Sequence, residues 1–426
     1  MRGGGRMKRT GIVLLAVLAL VVMVIAPVAA QDTFNVGMIL VGPRNDGGWS
    51  QAHYEGGLYV AEKVEGVTFL EPQENINAGN PDVPFDVAIR TLVDQGANII
   101  FTASDEFEED TAIVATEYPD VTFINVSGDD AYLGTAGDDA YLGTAPANLG
   151  NVMGTMEWGK MIAGCAAALQ TSTGHIGYLG PLINFETRRL VNSAYLGARH
   201  CYEMRGMNPD ELQFTVTWIG FWFNIPGVTL DPTEEANTLL NNGADVIISG
   251  IDTTEGITVV SQRAAAGESV WAVPGESVWA VPYDFASACD LGPEVCLGVP
   301  YFHWGPVYAE IISAAQAGTY EQAWTLTNPD WSDLNNPDTS GIGFAKGPAL
   351  TEENGAMLDA FIAEAAAYAA ENPDGIYLWT GPLSYQDGTE IAAEGVNLPY
   401  IVAIEEGSSV WYQQQLLAGI TGASES

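Results

Sequence analysis

Residues 34–41 (FNVGMILV) form an almost unbroken apolar run, too short for a helix and bulky enough for a buried strand. The run stops at Gly42-Pro43, and after Gly47-Gly48 the apolar positions become periodic, which predicts a helix over 49–64. The alternation continues. Strands are predicted at 67–70, 97–103, 121–126, 175–180, 213–219 and 245–250, with helices at 83–95, 106–117, 153–170, 186–205 and 233–242. Buried strands that alternate with helices imply an α/β fold whose parallel sheets are covered on both faces. Further on, helices are predicted at 304–318 and 351–372, an irregular Trp-rich and Asn-rich connection at 324–337, and short extended pieces around Trp379 and at 400–404. Residues 422–426 read as a frayed end.

The pattern repeats on two scales. NGADVII at 242–248 echoes QGANII at 95–100, each closing a helix with a glycine and opening a buried strand. The two halves therefore look like copies of one architecture, and 426 residues suit two lobes of roughly 100–200 residues better than one core. DDAYLGTA at 129–136 recurs at 138–145, and GESVWAVP at 267–274 recurs at 275–282. A duplicated strand cannot join a sheet whose neighbours are already paired, so one copy of each is expected outside the sheet. The second GESVWAVP, which leads into Tyr283-Asp284, is expected to keep the strand position.

A composition that is 47% hydrophobic and 10% aromatic excludes a disordered chain. Residues 1–30 read as an export signal: Arg2, Arg6, Lys8 and Arg9 precede an apolar run at 12–25, and Val28-Ala29-Ala30 supplies small residues before Gln31. An uncleaved membrane anchor is the alternative. No cysteine follows the run to accept a lipid, and no later segment is apolar for long enough to span a bilayer. Cleavage would remove four basic residues and take the formal charge from −40 to −44. Such a surface repels nucleic acid and anionic lipid, and the expected location is extracytoplasmic.

Four cysteines in an exported chain favour disulfides. Cys289 and Cys296 would close a short loop around Gly292-Pro293, and Cys165 and Cys201 would join two predicted helices if these pack together. The spacings match no zinc pattern and the chain has only four histidines, so no metal or cofactor is expected.

The first strand, its glycine turn and the following helix start would place Asp46 and Trp49 at the carboxyl edge of a sheet, where open α/β sheets bind ligands. Trp49 offers a flat apolar face and Asp46 an acceptor. A helix start with an Asp near its cap and a half-buried Trp explains the same residues without a ligand.

Several separated segments together resemble the basic membrane protein family, the purine-nucleoside-binding group of ABC-transporter substrate-binding proteins. The segments are VGPRNDGGWSQAHYEG at 41–56, VDQGANIIFTAS at 93–104, YPDVTFINVSG at 118–128 and GHIGYLGPLINFETRRLVNSAYLGAR at 174–199. NNGADVIISGIDTTEG at 241–256, HWGPVYAEIISAAQAGTY at 303–320 and WTGPLSYQDGTEI at 379–391 complete the set, which spans nearly all of 34–415. The resemblance implies the type I periplasmic-binding-protein fold: two Rossmann-like lobes with parallel sheets, joined by a three-segment hinge, with the ligand between them. It implies crossings near 127–148, 296–302 and 341–348, with lobe one at 32–147 plus 299–345 and lobe two at 148–298 plus 346–426. Family members are often lipoproteins, so the missing lipid-accepting cysteine is a departure.

The resemblance also implies site residues. Asp46 and Trp49 match the family's polar contact and stacking ring, and Phe107 falls where relatives carry an aromatic over the cleft, though core packing would also explain Phe107. Glu186 opens a helix and would either favour its dipole or accept from a purine N–H. Trp222 and Asn224 sit in an aromatic-rich loop suited to a pocket wall, followed by an apparent insertion at 225–230. Asp252 and Asp284 end two predicted strands and would either cap helices or face the cleft, and Trp304 at a crossing would either pack or line it. Relatives hold ribose with a late lysine. After the signal only Lys63, Lys160 and Lys346 remain, none just after 295–299, which favours a purine base over a nucleoside.

The reading is therefore a monomeric extracytoplasmic binding protein, not an enzyme, that delivers its ligand to an ABC permease and has no nucleic-acid partner. A sensor that docks on a membrane receptor is the alternative. A carbohydrate hydrolase, with carboxyls about 5–10 Å apart across a sugar, is the weaker one, since no G-x-S-x-G, metal cluster or phosphate loop is present in the sequence.

Overall fold

The computed structural model describes Met1 and residues 33–136, 143–267, 277–402 and 407–425. The predicted signal, most of the second DDAYLGTA copy and all but Gly267 of the first GESVWAVP copy lie outside the described residues. The first half of the chain runs β1 (Phe34–Leu40), α1 (Trp49–Lys63), β2 (Val67–Phe69), α2 (Phe85–Asp94), β3 (Ile99–Ala103), α3 (Glu108–Glu117) and β4 (Thr122–Val126). A one-turn α4 (Asp130–Leu133), a small hairpin of β5 (Thr135–Ala136) and β6 (Gly143–Thr144), and β7 (Leu149–Gly154) follow. The second half runs α5 (Glu157–Gln170), β8 (His175–Gly180), α6 (Phe185–Met204), β9 (Gln213–Trp218), α7 (Pro232–Asn241), β10 (Val246–Ser249), α8 (Glu255–Ala265) and β11 (Trp279–Val281). The chain then passes through β12 (Gly298–Phe302), α9 (Trp304–Gln316), β13 (Trp324–Thr327), β14 (Ile342–Lys346) and α10 (Glu352–Glu371), and ends in β15 (Leu383–Ser384), β16 (Glu390–Ala392) and β17 (Ile420–Thr421).

Two parallel sheets result. The first has the order β13-β7-β4-β3-β1-β2 and the second β11-β10-β8-β9-β17. Every residue of β3, β8 and β10 is buried, which is why these strands read as continuous apolar runs rather than as alternating ones. The second GESVWAVP copy supplies a strand, β11, as expected, and it pairs with β10. The segments expected to cross near 296–302 and 341–348 are β12 and β14, which pair antiparallel from Gly298–Lys346 to Phe302–Ile342.

Two stretches differ from the sequence expectation. The helix predicted at 153–170 begins at Glu157, and Leu149–Gly154 is instead a strand of the first sheet. Its glycines and Asn151 hid it: the Asn151 side chain bonds Asn125 on β4, at 3.4 Å, a sheet contact that no local pattern shows. The first sheet thus continues past residue 147, and the chain leaves it at Thr155-Met156. Likewise, the irregular connection at 324–337 opens with β13, an edge strand whose half-buried residues lack alternation.

Helices α5 and α6 lie side by side on the second sheet. A Cβ on Gly164 would come within 1.8 Å of Ala194 O, so only glycine permits this approach. The close pair brings Cys165 to Cys201, which form a disulfide, and Cys289 bonds Cys296. The C-terminal segment then crosses back to the first half, where Trp411 Nε1 and Tyr412 Oη donate to Asp129 Oδ2 at 3.2 and 2.7 Å.

Candidate functional site

A narrow, nearly closed cavity of about 20 Å³ lies where the carboxyl edges of the two sheets face each other. From the first half, Trp49 enters it at the N-terminus of α1, Ser104 and Asp105 follow β3, and Ser127 follows β4. The Trp49 indole is held by its own Nε1, which donates to Ala103 O at 2.9 Å, and by edge contacts to Phe302 and Trp304 at 5.5 and 5.7 Å. Ser127 has φ +76°, a left-handed conformation that costs a non-glycine residue energy and that is concentrated at functional sites.

The second half contributes Tyr178 of β8, Pro181, the first turns of α6 with Glu186, Thr187 and Leu190, then Trp222, Gly250, Asp252 and Tyr283. Asn184 caps α6 in a reciprocal capping box with Thr187, which holds Glu186 at the helix start. Asp252 N donates to Trp222 O at 2.9 Å, which ties the two wall segments together.

The walls are in contact. Trp49 N donates to Asp252 O at 3.3 Å, and Asn184 Nδ2 donates to Asp105 Oδ2 at 3.0 Å. A Cβ on Gly48 would lie 1.8 Å from Asp252 O, so the glycine turn is what lets the two halves close this far.

The cavity is acidic. Asp105, Glu186 and Asp252 line it, and the residue after Tyr283, the fully buried Asp284, adopts a left-handed conformation of φ +69°. Burial pushes the Glu186 carboxyl up to about 7, against the pull of Arg189. Burial also raises Asp252 well above the carboxylate range, with the charges of Asp284 and Asp46 adding to it. Asp284 rises for the same reason, opposed by Lys160. Lys160 is itself fully buried: its Nζ donates to Ser249 O at 2.7 Å and sits 3.0 Å from the centre of the Tyr283 ring. Burial lowers its pKa well below the ordinary value, while Asp284, Glu186 and Asp252 oppose the shift. Trp222 Nε1 is buried with no partner among the described residues, an unmet donor on the cavity wall.

Of the residues expected from sequence, Trp49, Glu186, Trp222 and Asp252 come together on the wall, while Asp284 is fully buried and not among the lining residues, though its charge acts on Asp252. Asp46 is engaged with its own helix, accepting from Gly48, Ser50 and Gln51 N at 2.9 to 3.0 Å. Phe107 is in the core, stacked on Phe85 at 4.8 Å. Trp304 is buried in a stack with His53 and Phe302 at 4.5 and 4.6 Å. Asn224 accepts from Thr229 within its own loop, at 3.2 Å. Sequence reasoning did not single out Tyr178, Tyr283, Ser127 or Asp105 on the wall, nor Lys160 beneath it. Asp105 and Tyr283 each follow a strand and were open to the strand-end argument. Ser127 is marked only by its backbone, and Lys160 only by its burial.

Residues 33–284, more than half of the chain, match a family described as PnrA-like ABC transporter substrate-binding proteins. The chain belongs to this family. It is 28% identical over 389 residues to a protein named purine-binding protein from Brucella abortus, covering 86% of this chain and 92% of that one. It is 26% identical over 290 residues to a putative ABC transporter glucose-binding protein from Haloferax volcanii, covering 68% of this chain and 63% of the relative. Among solved structures, an ABC-transporter solute-binding protein from Aeropyrum pernix superposes with a TM-score of 0.55 at 17% identity, over 81% of this chain and 83% of that one. The fold is thus the two-lobed one that the resemblance implied. Substrate-binding proteins of ABC importers work outside the cytoplasmic membrane, where they hold a small ligand and present it to a permease. Among the described residues no helix is long and apolar enough to cross a membrane.

Proposed function

We propose that this substrate-binding protein holds a purine base in the cavity between its sheets, with a nucleoside as the second ligand class, and passes it to an ABC permease after export directed by residues 1–30. The carrying observation is the wall itself: the rings of Trp49, Tyr178, Trp222 and Tyr283 enclose a small space in which Asp105, Glu186, Asp252 and the unmet Trp222 Nε1 give direction. A flat heterocycle suits this surface, because stacking contributes about 0.5–1.5 kcal/mol per ring pair beyond area burial. Its N–H and ring-nitrogen edge would meet the polar groups, each of which costs about 1–3 kcal/mol if buried unpaired. The name of the Brucella relative supports the same class. The protein acts as a monomer, performs no turnover and needs no cofactor.

A sugar is the second reading, favoured by the name of the Haloferax relative. Thermal-shift screening of the purified chain against purine bases, nucleosides, sugars and amino acids separates the two. A ligand at 100 times its dissociation constant stabilises the folded form by about 2.7 kcal/mol. A shift with adenine or guanine is the expected result, and silence from every purine would sink the proposal.

A further inference from the structure

The carboxyls around the cavity come from both of its sides and meet across it. Asp105, just after β3, accepts from Asn184 Nδ2 at 3.0 Å, which sets it against the start of α6 and the Glu186 carboxyl there. Asp46 accepts from Gly48 N at 2.9 Å, and Gly48 packs so closely on Asp252 O that a Cβ would lie 1.8 Å from it. The charge of Asp105 acts on Glu186, and those of Asp46 and Glu106 act on Asp252, so the first side presents carboxyls to the carboxyls of the second. Asp284 also feels Asp46 across the gap. The two buried cations nearby both belong to the second side. Lys160 Nζ donates to Ser249 O at 2.7 Å, and Arg189 Nε donates to Glu157 Oε1 at 2.8 Å while another Arg189 nitrogen stands 3.9 Å from Glu186 Oε2, too far for a hydrogen bond. Burial keeps the phenols of Tyr178, Tyr283 and Tyr400 neutral, and no lysine, arginine or histidine is among the described lining residues.

A cavity of about 20 Å³ offers little more room than one water needs, so a ligand enters only when the walls part, as they do in the hinge motion of such binding proteins. Parting separates Asp105 from Glu186 and Asp46 from Asp252 and lets water in, and both changes favour ionised carboxyls. Closing brings like charges together out of water unless protons bind. We propose that proton uptake shuts this cleft: the arrangement in which the walls bond directly to each other gains population as the pH falls through neutrality, and rising pH drives the walls apart to admit ligand. In the closed arrangement burial, with Asp105 adding to it, holds the proton of Glu186 up to about 7, against an ordinary value of 4.5. Burial and like charge push Asp252 and Asp284 in the same direction. The closed form therefore carries more protons than the open one, and falling pH favours it. This holds whichever ligand the cavity takes.

Small-angle X-ray scattering from the purified full chain at pH 8 and pH 6, with no ligand added, tests the proposal. One carboxyl that titrates at about 7 when closed and at 4.5 when open raises the closed-to-open ratio about tenfold over that interval, so the radius of gyration should fall from pH 8 to pH 6. Ordinary carboxylates stay ionised throughout it, and the acidic surface as a whole does not respond. Glu186→Gln and Asp105→Asn each place a permanently neutral amide in the facing pair. Each should be more compact than the wild type at pH 8 and should lose most of the pH response; if one fails to fold, the other decides. A radius of gyration that is the same at both pH values overturns the proposal, as does a pH response that the variants keep in full.

Discussion

The two sides of the cavity are built from the same strand-turn-helix unit and use it differently. On the first side, the residues that the turn positions are consumed by the fold: Asp46 closes the start of α1, the Trp49 indole N–H is fixed to Ala103 O, and Phe107 and Trp304 are stacked in the core. On the second side, Trp222 Nε1 has no partner, and Glu186 and Asp252 are held at raised pKa values by burial and neighbouring charge. The first side is a rigid platform. The second places its unmet donor, Trp222 Nε1, on the cavity wall, whereas the unpaired Trp304 Nε1 and His53 Nε2 of the first side are buried in the aromatic stack.

Substitutions should separate the two roles, and the largest effect is expected at Trp304. Truncating this buried ring to alanine leaves a cavity between His53, Phe302 and Tyr308 and should cost about 3–5 kcal/mol of stability. A loss below about 1 kcal/mol in denaturant unfolding would contradict a structural first jaw.

Glu186 should shape the pH dependence of stability. Its carboxyl keeps a proton up to about 7 when folded, against an ordinary value of 4.5. The folded state therefore binds more protons across that window, and this group's contribution to stability falls as the pH rises through it. Glu186→Gln should flatten that part of the curve of Tm against pH, and parallel wild-type and variant curves would refute the assignment.

Trp222→Phe keeps a ring and removes one donor. About a tenfold loss of purine affinity is predicted, with Tm nearly unchanged, since one hydrogen bond to the ligand is forfeited. Unaltered affinity by titration would free the second jaw of that role.

Asp46→Ala should behave in the opposite way, reducing stability by about 1 kcal/mol through the lost helix start and leaving affinity within about twofold. A drop in affinity at constant Tm would move Asp46 from the platform to the ligand. The smallest effect is expected from deleting residues 267–274, because the second GESVWAVP copy supplies β11. Unfolding free energy should change by no more than about 0.5 kcal/mol. A larger loss would show that the first copy contributes contacts of its own.

The alternation that defines the fold was legible because strands buried on both faces read as runs and the helices between them read as periods. β7 and β13 escaped, since glycines and Asn151 interrupt the apolar residues of the first, the second is only half-buried, and the strand character of both comes from neighbours distant in sequence. The site divides in the same way. Trp49, Glu186 and Asp252 lie near turns and helix starts that the chain itself announces. Asp46 and Trp304 lie in equally well-marked positions, yet they point into hydrogen bonds and packing that depend on the third dimension.

The Asp46-Gly47-Gly48-Trp49 turn holds both kinds of information. Its residues alone specify a tight bend after a buried strand and a helix that starts at Trp49, because glycine, proline and the change of apolar period act locally. Only the tertiary structure decides that Gly48 must lack a side chain to admit Asp252 O, and that Trp49 faces Tyr178, Trp222 and Tyr283 across the gap. It also decides that Lys160, one helix away, lies under Tyr283. Those contacts join segments separated by more than a hundred residues, and which faces meet is set by how the two sheets pack about their crossing strands.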